Sequence, residues 1–227
     1  MRLSTLSALA CSTSVPISMC APSVTALALT ALEGRLLELC APVFAPRIQI
    51  PEPAAVAAIY AQISAIETTL DEPLGAEATA AAVQGDWRLV FSDSASICKE
   101  GILGYGAIPF VSSLAVLQRL SSGSVPAQTI EALELPLGAK NAVALKGEWR
   151  IDEDDEGCII VCEYAKTELG GATLPNPPQV QTGPQVVAAA SVHAGERVRV
   201  ERNAAGATTV WARQDVSIEA QLDELLK

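Results

Sequence analysis

The segment Gly85-Asp86-Trp87-Arg88-Leu89-Val90-Phe91-Ser92 constrains this chain more than any other, because it sets large apolar side chains at every second position behind a glycine. Trp87, Leu89 and Phe91 share one face of an extended strand, while Asp86, Arg88 and Ser92 face mostly the other way. Such a strand is half-buried. Gly85 lets the backbone turn tightly just before the indole. Near the far end of the chain, Thr208-Thr209-Val210-Trp211-Ala212-Arg213 is a second strand candidate that ends in an arginine. First and last strands are neighbours in an up-and-down barrel, so the Arg213 guanidinium is expected across the Trp87 ring, an attraction of about 0.5–2 kcal/mol. Gly85, Trp87 and Arg213 are therefore the expected closure of a barrel.

The intervening sequence keeps period two. Val143, Leu145, Trp149 and Ile151 alternate with Lys146, Glu148 and Arg150, and Gly157 to Ala165 is apolar and rich in β-branched residues. These two segments are expected to pair as a hairpin around the acidic turn Asp152 to Glu156. Val186 to Val192, Glu196 to Arg202 and Ala207 to Arg213 form a meander, the last two strands joined by Asn203-Ala204-Ala205-Gly206. Ahead of Gly85 the period changes to that of helices. Leu32, Leu36, Leu37 and Leu39 mark Ala31 to Cys40; Val56, Ile59, Tyr60, Ile63, Ile66 and Leu70 mark Ala54 to Leu70; and Ala76 to Val83 is a short third helix. Ser217 to Lys227 reads as a C-terminal helix with Ser217 or Asp215 near its cap. The fold class is mainly β: a lipocalin-like antiparallel β-barrel with N-terminal helices packed outside and a short C-terminal helix. The organisation expected is a leader over 1–26, a helical region over 27–78, the barrel over 79–214 and the terminal helix over 215–227. From Met1 to Leu32 the only charge is Arg2, and Ser and Thr recur between small apolar residues, as in organelle-targeting segments. No apolar run of roughly eighteen residues or more occurs.

Composition excludes several function classes. The formal net charge of -11 leaves no basic stripe for nucleic acid and disfavours anionic membrane surfaces. Among 227 residues only His193 carries an imidazole, which removes multi-histidine metal sites and rests any histidine-dependent triad on one residue. Asp152, Asp154, Glu156, Gly157, Ile159 and Glu163 fall at EF-hand positions, but the strand pattern before them and the lack of a second loop favour an ordinary charged turn. Cys11 and Cys20 lie in the leader and Cys40 in the helical region; Cys158 and Cys162 are expected as small buried hydrophobes, with a bridge from Cys98 to one of them as the alternative. Gly101-Ile102-Leu103-Gly104-Tyr105-Gly106 lacks the strand–helix frame and lysine of a phosphate loop and is expected at the barrel mouth. Ser92 and Ser94 sit in no nucleophile elbow. No catalytic set, metal site or cofactor is expected.

Taken together, Leu36-Leu37, Ile63-Ser64-Ala65-Ile66-Glu67, Gly85 to Ser92, Val198-Arg199-Val200-Glu201-Arg202 and Thr209-Val210-Trp211-Ala212-Arg213 resemble the plastid lipid-associated protein family, the fibrillins. Three departures are Asp71-Glu72-Pro73 in place of that family's Asn-Pro segment, Glu196 alone in place of the acidic residues before its Arg-Ile-x-Arg stretch, and Trp211 in place of its usual Phe. The resemblance implies a plastid protein, in chloroplasts in peripheral association with the plastoglobule or thylakoid surface, that binds, stores or transports prenyl quinones, carotenoids or other lipids without being an enzyme. In such a barrel the lining expected to hold the ligand is Trp87, Leu89, Phe91, Val143, Leu145, Trp149, Val198 and Val200. Two alternatives remain open at this stage. One is a structural coat or assembly protein with a solid core. The other is a lipocalin-fold enzyme acting on an isoprenoid, which needs convergent polar groups such as Tyr164 with Glu163 or Asp93.

Overall fold

Alternation downstream of Gly85 produces strands that each pair with a sequence neighbour until the sheet meets itself. The computed structural model describes residues 24–44, 47–70, 74–123, 126–155, 157–169, 172–174 and 185–227. Four helices α1 (Val24–Cys40), α2 (Pro53–Thr69), α3 (Ala76–Val83) and α4 (Ala95–Glu100) flank the first strand, and α5 (Ile218–Leu225) ends the chain. The strands are β1 (Gly85–Ser92), β2 (Ser112–Leu120), β3 (Ala127–Glu134), β4 (Lys140–Asp154), β5 (Gly157–Leu169), β6 (Ala172–Leu174), β7 (Gln185–Ala194), β8 (Val198–Asn203) and β9 (Thr208–Arg213). All but β6 form a closed antiparallel barrel of eight strands, and β6 adds to the end of β5. First and last strands meet with Trp87 opposite Arg213 and Leu89 opposite Trp211. We call the end carrying Gly85 and Arg213 the lower end.

Helices cover what the sheet leaves apolar. Leu36 and Cys40 of α1 and Ile59, Ile63 and Ile66 of α2 pack in one cluster with Phe91, Val198, Val200 and Val210. Ile218 of α5 sits on Leu117 and Ile130, with the Ser217 hydroxyl capping the helix by accepting from Ala220 N. At the lower end Val83 of α3 packs with Leu120 and Ala127, and its carbonyl accepts the Trp87 indole N–H at 2.8 Å. The upper end is closed by the irregular segment after α4, where Leu103 packs with Leu133 and Val143.

Helix α1 begins at Val24, upstream of the expected Ala31 and inside the stretch assigned to the leader. Residues 1–23, with Cys11 and Cys20, lie outside the described residues, as do Asp71, Glu72, Pro73 and Glu156. The β4–β5 hairpin is tighter than the expected Asp152 to Glu156 turn. Arg150 pairs with Asp152 and across the hairpin with Glu163, and the ladder runs on to Asp154 opposite Gly157. Strands β2 and β3 and helix α4 have no counterpart in the sequence-based expectation.

Candidate functional site

The barrel interior is built around a charge. Trp87 stands opposite Gln118 on one side and Arg213 on the other, and the Arg213 guanidinium lies 4.3 Å from the Trp87 ring centroid. Its Nη atoms donate to the carbonyls of Ala82 and Gln84, so the same side chain also ends α3. A Cβ on Gly85, whose φ is 135°, would meet this guanidinium. Deeper inside, Arg199 is fully buried between Trp87 and Trp211, 4.9 and 5.0 Å from their centroids. Its Nε lies 2.8 Å from Glu201 Oε1, and Nη2 donates to Gln118 Oε1. Glu201 Oε2 accepts the Trp211 indole N–H at 2.9 Å. Gln118 Nε2 donates to Thr129 Oγ1 and Tyr164 Oη, which are themselves 2.6 Å apart. Burial pushes the Tyr164 hydroxyl up and the Arg199 guanidinium down from their ordinary values. This network ties β1, β2, β3, β5, β8 and β9 together through their inner faces.

The expected ligand lining is therefore corrected. Val198 and Val200 alternate with inward-facing Arg199 and Glu201, so they face out beneath α1 and α2. Phe91 also faces out. A β-bulge between Leu89 and Phe91 shifts the register, leaving Phe91 opposite outward Val210 rather than following Leu89 inward. Trp87, Leu89, Val143 and Leu145 do lie inside, buried, with Leu145 opposite Thr129 and Thr167. Trp149 is half-buried and donates its indole N–H to the Ser121 carbonyl. The polar groups weighed for an enzyme do not converge. Tyr164 is in the lumen, Glu163 pairs outside with Arg150, and Asp93 holds Tyr60 Oη and Thr208 N beside β9.

A cavity of about 810 Å3 runs along β7 on the other side of the wall. Its sides are Leu29 and Glu33 of α1, Leu70 after α2, Leu74 before α3 and Ile159 of β5. Its floor is small and apolar, Ala188, Ala189 and Ala190, and Arg202 and Asn203 supply polar edges. A second bulge, between Ser191 and His193, turns His193 outward opposite Val200. There its Nε2 lies 2.7 Å from Glu33 Oε1, both residues buried at the cavity edge. Gly195 leaves the room this pair needs, since a Cβ there would overlap the Glu33 carboxylate. Among the described residues no hydroxyl or thiol hydrogen-bonds to His193, so the pair has an orienting carboxylate without a nucleophile. The lone histidine is structural in its contacts.

Of the other buried titratable groups, Cys158 lines the cavity while Glu131, Cys40, Cys98 and Cys162 stand apart from it. Glu131, fully buried at the upper end, accepts the Leu103 N–H at 2.9 Å, and a Cβ on Gly101 would overlap its carboxylate. Desolvation raises its pKa. Cys40, Cys98, Cys158 and Cys162 are buried free thiols, and burial pushes Cys40 up to about 12 and both Cys98 and Cys162 to about 11. Sequence reasoning missed Arg199, Glu201, Gln118 and Glu33. The signal present was Arg199-x-Glu201 at strand spacing, which puts opposite charges on one face. No family model, curated protein or solved structure matches this chain.

Proposed function

We propose that the protein binds elongated apolar small molecules of the prenyl-lipid or carotenoid class, without converting them, in the cavity along β7 rather than in the barrel lumen. The observation that carries this reading is the cavity of about 810 Å3 with its alanine floor and leucine sides, a volume in the range of sites that enclose a small molecule. The lumen at the level of Trp87 holds Arg199 and its partners, and an apolar ligand there would strip them of hydrogen bonds. Plastoglobules or thylakoids as the place of action follow from the resemblance of Gly85 to Ser92 and Val198 to Arg213 to the fibrillins.

The test separates wall from lumen. Recombinant protein spanning residues 24–227 is titrated with β-carotene and followed by its absorbance shift, and lipid co-purified from the host is identified by mass spectrometry. Ala190→Trp fills the exposed floor and is expected to weaken binding at least tenfold with an unchanged melting temperature. Leu145→Met inside the barrel leaves binding unchanged. Equal loss in both would return the site to the lumen; no uptake by the folded protein would favour the coat reading, and time-dependent chemical change of the ligand would favour an enzyme.

A further inference from the structure

Two exposed turns at the upper end of the barrel are built alike. In Ile108-Pro109-Phe110-Val111 the Val111 N–H bonds to the Ile108 carbonyl at 3.1 Å, and in Leu135-Pro136-Leu137-Gly138 the Gly138 N–H bonds to the Leu135 carbonyl at 3.2 Å. Each has proline at the second position and a left-handed residue at the third, Phe110 with φ 66° and Leu137 with φ 68°. Glycine is the residue that favours this third position. Instead both turns hold a large apolar side chain there at a steric cost, and neither side chain is used inside this chain: Phe110 is 86% exposed and Leu137 106%. Ile108 is 51% exposed beside them. The turns flank one rung of the sheet, because Ser112 pairs with Glu134.

Part of the backbone at these tips is satisfied locally. Val111 and Gly138 donate their N–H groups within the turns, Ala107, Ile108 and Leu135 donate to the adjoining carbonyls of Gly104, Tyr105 and Ala139, and Pro109 and Pro136 have none to satisfy. No charge occurs from Gly101 to Val111 or from Leu135 to Ala139. Among the described residues no helix is long and apolar enough to cross a membrane, so contact through these tips would be peripheral. A folded partner would have to close around narrow convex tips and still bury the area of a stable interface, on the order of 1,000 Å2 or more. A fluid acyl layer surrounds a protruding side chain from every direction.

We infer that this end of the barrel is a lipid-facing edge: Phe110 and Leu137, with Ile108, insert into the outer apolar layer of an uncharged or zwitterionic lipid surface. The formal charge of -11 opposes an anionic surface. This contact deepens the reading that the protein acts at plastoglobule or thylakoid surfaces, and it does not depend on the cavity along β7.

Flotation of the protein with phosphatidylcholine vesicles, alone or with phosphatidylglycerol, tests it. The expected result is recovery with phosphatidylcholine vesicles that does not rise with phosphatidylglycerol. The double variant F110G/L137G relieves the left-handed backbone. It should keep or raise the melting temperature while losing at least tenfold in vesicle-bound fraction, and A190W should float as the wild type. F110W is expected to shift its emission to the blue on vesicles and to be quenched by brominated acyl chains. Absence of wild-type flotation, equal flotation of the glycine variant, or a lowered melting temperature in that variant would overturn the inference. Loss of a concentration-dependent dimer, with vesicle binding intact, would also overturn it and assign the tips to a second copy of this chain.

Discussion

Arg199 is the residue around which the barrel interior is organised. A buried guanidinium is tolerated because Glu201, the Gln118 amide and two indole faces replace its water. Arg199→Ala leaves Glu201 as an uncompensated buried charge and is expected to cost about 3–5 kcal/mol, whereas Arg199→Met with Glu201→Leu should cost far less than the sum of the single changes. Urea melts of the two single variants and the pair measure the coupling; additive losses would show that the charges do not interact. Glu131 gives a prediction of the opposite kind. Desolvation raises its folded pKa above the ordinary value of about 4.3, so folding favours its protonated form. Its relative contribution is fullest below that ordinary value and is lost as pH rises through the folded value. Glu131→Gln is therefore expected to match the wild type near pH 4 and to exceed it in melting temperature at pH 7. A pH series of thermal melts checks this, and parallel curves for the two proteins would refute it.

At the scale of elements, α5 hangs on one arginine. Arg119 bonds both oxygens of Asp86 and both of Glu219, while Asp86 also accepts the Ile218 N–H. Beside this guanidinium the Glu219 carboxyl is held down at about 2. A depressed carboxyl contributes fully above its ordinary pKa and loses that contribution as pH falls toward the folded value. Amide protection factors across Ile218–Leu225, taken relative to the intrinsic rate at each pH, are expected to fall between about pH 4 and pH 2, and Arg119→Leu should lower them likewise at neutral pH. The same elements explain what the sequence disclosed. Strand β1 was legible because Asp86 and Arg88 lie on its less apolar face, and β8 and β9 because their turn has a distinct asparagine and glycine. Strands β2 and β3 were not, since Val116 faces the lumen while Leu117 is covered by α5, and burial on both faces erases alternation. Strand β8 was legible as a strand and misread in its direction. Helices α1 and α2 make the outer wall more apolar than the inner one at Val198 and Val200, a reversal that no local pattern announces.

For the whole molecule, the four described cysteines report stability at different depths. Cys98 lies under the upper end near the surface, and Cys162 lies on the inner face of β5. In a C11S/C20S variant, alkylation is expected to reach Cys98 through local opening and Cys162 only when the barrel opens globally. Peptide mass spectrometry after timed labelling separates the two rates; equal rates in native buffer would mean that the top and the lumen open as one.

Every strand of the barrel except one pair meets a partner made shortly before or after it. The exception is the seam between β1 and β9, where Arg213 reaches a carbonyl 129 residues earlier in the chain. A ribosome making this protein can release hairpin after hairpin as locally paired ribbon, yet Trp87 stays without the Arg213 cation until the last strand has emerged. The nascent chain thus carries an unsealed sheet with two free edges for nearly the whole of its synthesis. The guanidinium that stacks on Trp87 and also ends α3 works as a latch that exists only once translation has passed the barrel, so the open edges are the aggregation hazard of this protein until that latch closes.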